Sequence, residues 1–115
     1  MRLEFERYER ALRAHDVEAL NGFFLDSPST VRFGLAEEHY GFDAIAAFRR
    51  ISPPVHPERT LRHTRVHALT ADVACVSTQF SDPDSAQLGR QSQTWLRTAT
   101  GWKIAMAHVS ARIET

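Results

Sequence analysis

The chain opens with apolar residues at helical spacing and closes with residues that alternate as strands do. Phe5, Tyr8, Leu12 and His15 fall at i, i+3, i+7 and i+10, with Glu4, Arg7, Arg10 and Arg13 pointing elsewhere. That spacing predicts an amphipathic helix over residues 2–14. Asp16 is placed to cap a second helix over 17–25, with Val17, Leu20, Phe23 and Phe24 as its apolar members. Asp26-Ser27-Pro28-Ser29 breaks it. Short strands are expected over 30–33 and 37–40, the second ended by Gly41. A third helix follows over 44–50, capped by Asp43, with Ile45, Ala46 and Phe48 inward. After a proline-bearing loop at 52–57, strands are expected over 61–69 and 73–80, joined by a turn at 70–72. Residues 81–88 read as a polar loop, and two long strands close the chain.

The order is ααββαββββ. Helices followed by a run of strands indicate an α+β fold with a largely antiparallel sheet. Such a sheet, curved over the first helix, makes a cone with one open end. No repeat, linker or low-complexity segment divides the chain, so residues 1–115 form one domain.

The last two strands carry the most information. If residues 98–101 form a four-residue loop, Arg97 pairs with Trp102. Trp95 then faces Ile104, Gln93 faces Met106 and Gln91 faces His108, with Ser110 beyond. Arg90 falls on the opposite face unless a bulge reverses the parity. The face is apolar near the turn and increasingly polar away from it, as a pocket wall is.

Composition narrows the function. Hydrophobic residues make up 43% and charged residues 24%, an ordinary globular balance. Lys+Arg and Asp+Glu both number 14, so no excess charge points to nucleic acid or an anionic membrane. Lys103 is the only lysine, so an anion site would use arginine forks. Cys75 is the only cysteine and sits in an apolar run, which excludes an intrachain disulfide and suggests an inert thiol. His63 and His67 are four apart on an expected strand, roughly 13 Å from each other, which is no metal grip. No glycine-rich phosphate loop appears, and Gly89 and Gly101 read as turn residues. The chain has no signal peptide and no long apolar run, so a cytoplasmic location without membrane contact is expected.

Four blocks, FERYERAL, SPSTVRFG, EHYGFDAIAAFR and GRQSQTWLRT followed by GWKIAMAHVS, resemble the AtzH-like family, which includes HpxZ of oxalurate catabolism, within the NTF2-like (SnoaL-like) superfamily. The blocks span Phe5 to Ser110. Members carry more residues before FERYERAL, so either a shortened first helix or a misassigned start site is expected. The resemblance implies an NTF2-like cone, a homodimer and a cofactor-free decarboxylating amidohydrolase. That enzyme type takes 1,3-dicarboxyurea to allophanate. It also implies that a tyrosine on the first helix and an arginine on the first strand carry the activity. Here they are Tyr8 and Arg32.

The residue chemistry agrees with those roles without requiring them. A guanidinium binds a carboxylate bidentately, and a tyrosine hydroxyl can hand a proton to a departing nitrogen. Arg32 is equally suited to an ion pair with Glu37, Glu38 or Asp43, and Tyr8 to a core position. Gln91 and Gln93 offer amides to a urea carbonyl or N–H, or to cross-strand pairing. Trp95, His108, Ser110 and Tyr40 complete the expected substrate contacts, His108 having a structural alternative within the sheet. A non-catalytic ureide-binding protein accompanying an amidase is the main rival. A ketosteroid-isomerase or polyketide-cyclase type is third, because the pocket wall offers no carboxylate base.

Overall fold

A computed structural model describes residues 1–113. The elements are α1 (Arg2–Ala14), α2 (Val17–Gly22), β1 (Val31–Phe33), β2 (Glu38–Tyr40), α3 (Phe42–Ile51), β3 (Thr60–Ala68), β4 (Val73–Ser81), β5 (Gln87–Thr98) and β6 (Gly101–Ile113). One six-stranded sheet runs β2-β1-β6-β5-β4-β3. It is mixed, because β1 lies parallel to β6 while the other neighbours are antiparallel.

Several boundaries differ from the sequence expectation for local reasons. His15 takes a left-handed conformation that ends α1, and the Asp16 carboxylate accepts from the Ala19 N–H to start α2, as the capping pattern required. The second helix ends at Gly22 rather than continuing to residue 25. Its continuation is claimed by the sheet: Phe23 C=O accepts from Ile104 N–H at 2.7 Å, and Leu25 N–H donates to Ile104 C=O at 2.9 Å. Gly41 with φ 93°, not Asp43, occupies the cap of α3. The polar loop shrinks because β4 extends to Ser81 and β5 begins at Gln87. The β5–β6 turn is two residues, Ala99-Thr100, closed by a Thr98–Gly101 pair.

Helices α1, α2 and α3 cover one face of the sheet. Phe5, Leu12, Leu20, Phe24 and Ile45 pack there against Ala74, Val76, Trp95 and Ile104. Burial of these side chains is the main stabilising contribution, at roughly 1.5–3 kcal/mol for each large one. The opposite face, with Cys75, Ser77, Thr94 and Met106, has no covering layer among the described residues. Gly89 is not a turn residue. It lies within β5 opposite Phe80, and a Cβ there would stand 2.1 Å from the Phe80 ring.

Candidate functional site

The helix-covered face holds a cavity of about 400 Å³ between α1, the end of α3, the 53–56 loop and strands β1, β5 and β6. Such a volume suits a small ligand. A hollow of about 480 Å³ on the outer face, near His67, Cys75 and Met106, is larger but gathers no buried charged group. Buried Arg49, Arg59, Gln91 and Gln93 line the inner cavity, which makes it the candidate site.

Tyr8 sits on the sheet-facing side of α1 and is 4% exposed. Its ring meets Phe23, Phe24 and Trp95 edge to face at 5.6, 6.3 and 6.1 Å, which fixes the ring. Its hydroxyl has no hydrogen-bond partner among the described residues, and the residue lines the cavity. Arg32 enters from the middle of β1. Its Nη1 donates to Glu37 Oε1 at 3.3 Å, and its guanidinium lies 4.9 Å over the Phe48 ring. Burial is the main cause that holds its pKa below the usual arginine value. The nearby Arg49 adds to this, while Tyr8 and Glu37 oppose it. Arg49, on α3, is 6% exposed, and its Nε is buried without a partner among the described residues. His39, register partner of Arg32, stacks on Phe48 at 4.3 Å. Its pKa is lowered, by burial first and then by the Arg32 charge.

Gln91 and Gln93 lie side by side on β5, 5% and 4% exposed. Arg59 Nη2 donates to Glu9 Oε1 and Oε2 at 3.0 and 3.2 Å and to Gln91 Oε1 at 3.0 Å. The Trp95 Nε1–H donates to Gln93 Oε1 at 3.0 Å. Guanidinium and indole are donors only. They therefore fix both glutamine oxygens and leave both NH₂ groups to other partners. The Gln91 NH₂ has none among the described residues. Asp82 also lines the cavity and has a buried Oδ1 with no partner among the described residues, which suits a ligand N–H.

Tyr8, Arg32, Gln91 and Gln93 are thus brought together, whereas Tyr40 lies outside the lining of the cavity and His108 and Ser110 are not placed as the alternation predicted. The cause is a bulge in β6. Trp95 pairs with Ile104, but Thr94 pairs with Met106, so Ala105 is an extra residue. Beyond it Gln93 opposes Ala107 and Gln91 opposes Val109, while His108 opposes Ser92 and Ser110 opposes Arg90. His108 borders the cavity, but its ring meets Phe33 at 5.5 Å on the outer face. Ser110 Oγ accepts from Arg90 Nε there, and Tyr40, 68% exposed, packs on Phe33. Trp95 is fully buried, does not line the cavity, and donates its Nε1–H to Gln93, which does. Glu9, Arg59 and Asp82 are absent from the sequence-based site. The Glu9–Arg59 contact spans 50 residues, and no local pattern announces it. One signal was available for Glu9: it adjoins Tyr8 on α1.

The AtzH-like family model matches residues 1–115. The chain belongs to the AtzH-like family. Two solved structures are close relatives of this AtzH-like protein. A cystatin-like fold protein from Burkholderia xenovorans is 45% identical, with 99% of this chain and 89% of that chain covered and a TM-score of 0.94. A protein of unknown function from Pectobacterium atrosepticum is 41% identical over 96% of this chain and 86% of that chain, with a TM-score of 0.92. An NTF2-like protein of unknown function from Pseudomonas putida shares the fold at 20% identity, covering 99% and 85% of the two chains, with a TM-score of 0.78. No curated protein matches the chain. The α+β, NTF2-like reading of the sequence therefore holds.

Proposed function

We propose that this AtzH-like protein is a cofactor-free enzyme that removes one carboxyl group from a small N-carboxylated urea. The substrate type is 1,3-dicarboxyurea and the product allophanate. One observation carries the reading: Tyr8, Arg32, Gln91 and Gln93 line a single cavity of about 400 Å³. Arg32 holds a carboxylate through the part of its fork that Glu37 leaves open. The two NH₂ groups suit the urea carbonyl oxygen, and Asp82 suits an N–H. The N–C bond to one carboxyl carbon breaks, carbon leaves as CO₂, and the electron pair stays on nitrogen. Tyr8 donates the proton that nitrogen takes up and regains one from water. The donor groups polarise the urea carbonyl, which spreads the charge developing on that nitrogen.

The reading includes a homodimer, for which the uncovered outer face around Phe33, Met106 and His108 is the available surface. Among the described residues no helix is long and apolar enough to cross a membrane. The test is incubation of purified protein with 1,3-dicarboxyurea, following CO₂ and allophanate, beside Arg32→Lys. Turnover that falls at least tenfold in Arg32→Lys supports the proposal, because lysine cannot reproduce the fork. Tight binding of ureide carboxylates without turnover would replace it with the binding-protein reading.

A further inference from the structure

The cluster at the α3 end of the cavity holds more positive charge than its carboxylates neutralise. Helix α3 places Arg49 directly after Phe48, whose ring carries the Arg32 guanidinium at 4.9 Å. Arg49 is 6% exposed and makes no ion pair among the described residues, although Glu37 and Asp82 line the same cavity. Glu37 reaches only one nitrogen of Arg32, at 3.3 Å. A buried guanidinium without a counter-charge is costly, and two near each other repel. The same repulsion is visible in Arg32, whose pKa burial lowers and Arg49 lowers further. His39, stacked on Phe48, is likewise pushed towards its neutral form. An anion entering between the arginines would relieve this strain.

We infer that Arg49 and Arg32 form a two-guanidinium clamp for one carboxylate of the ligand, so that Arg49 is a binding residue in its own right. The clamp itself rests on the cavity assigned above, and only the choice of which carboxylate it takes rests on the reaction proposed there. Holding the departing carboxylate would stabilise the substrate more than the transition state in which that charge is lost. The clamp therefore takes the carboxylate that the product keeps. Arginine suits the task at both positions, since it stays charged when buried and offers paired donors.

The test is calorimetric titration of wild type, Arg49→Gln and Arg49→Met with N-carbamoylglycine and with N-isobutylurea. The second probe has a similar shape but no carboxylate. Wild type should prefer N-carbamoylglycine. Each variant should lose about tenfold or more of that affinity, as expected for removing a charge-assisted bond. Binding of N-isobutylurea should stay within about twofold, and the melting temperature should be unchanged or higher, because an uncompensated charge has gone. Three results would overturn the clamp. These are a wild type that does not distinguish the probes, N-carbamoylglycine affinity that survives in both variants, and weakening of both probes together with a lower melting temperature, the mark of a purely structural arginine. Failure to turn over 1,3-dicarboxyurea would remove the proposed reaction while leaving the clamp standing on these titrations.

Discussion

Replacing Glu9 by alanine tests whether the floor of the cavity is held by a balanced charge pair. Glu9 and Arg59 side chains are 2% and 4% exposed, and both Glu9 oxygens accept from one Arg59 nitrogen at 3.0 and 3.2 Å. The Arg59 guanidinium also lies 4.1 Å over the Phe80 ring. Removing the carboxylate leaves a buried positive charge whose remaining polar partner is the Gln91 oxygen. Breaking a pair of this kind costs about 3–5 kcal/mol. For a domain of this size that lowers the melting temperature by about 10–20 °C. The double variant Glu9→Leu/Arg59→Met removes both charges and keeps apolar bulk. It should stand within about 2 kcal/mol of wild type, the residue of the loss being the unpaired Gln91 oxygen. Thermal and urea unfolding followed by circular dichroism reads both quantities. A Glu9→Ala cost below about 1 kcal/mol would refute the reasoning. So would a double variant no more stable than the single one.

Acidification should weaken the fold through His39. Its folded pKa lies below the ordinary value of about 6.5, so the unfolded chain takes up the proton first as pH falls. The stability it contributes is present above about pH 6.5 and is lost below it. His39→Phe, which keeps a ring on Phe48, should flatten the fall in melting temperature between pH 7 and 5, and an unchanged slope would exclude His39 as a source. Gly89→Ala should cost about 1–3 kcal/mol, because its Cβ would strike the Phe80 ring that covers Arg59; an unchanged melting temperature would show that the ring moves freely.

The fold was readable in the sequence wherever one residue pattern governed one element. The apolar spacing of α1, the Asp16 cap and the Arg97–Trp102 pairing at the last turn all follow from local rules. The candidate site was half readable. Tyr8 and Arg32 came from the family resemblance, and Gln91 and Gln93 from the unusual polarity of β5. The alternation argument failed beyond Ile104, because one extra residue inverts the faces of Met106, His108 and Ser110 and no residue type near Ala105 marks it. Glu9, Arg59 and Asp82 were out of reach for another reason. Their roles arise from contacts between distant segments, and each alone reads as an ordinary surface charge. Gly89 was misread because a glycine within a strand and a glycine at a turn look alike until the ring across from it is placed.

The measurement that bears most directly on the account is the kinetics of Tyr8→Phe with 1,3-dicarboxyurea, with binding of N-carbamoylglycine measured on the same preparation. Tyr8 lines the cavity and its ring is fixed by three aromatic neighbours, so the variant should fold and bind as wild type does. The account predicts kcat reduced by about 100-fold or more with affinity within about twofold. Wild-type turnover that persists in Tyr8→Phe would contradict it and move the proton donor elsewhere.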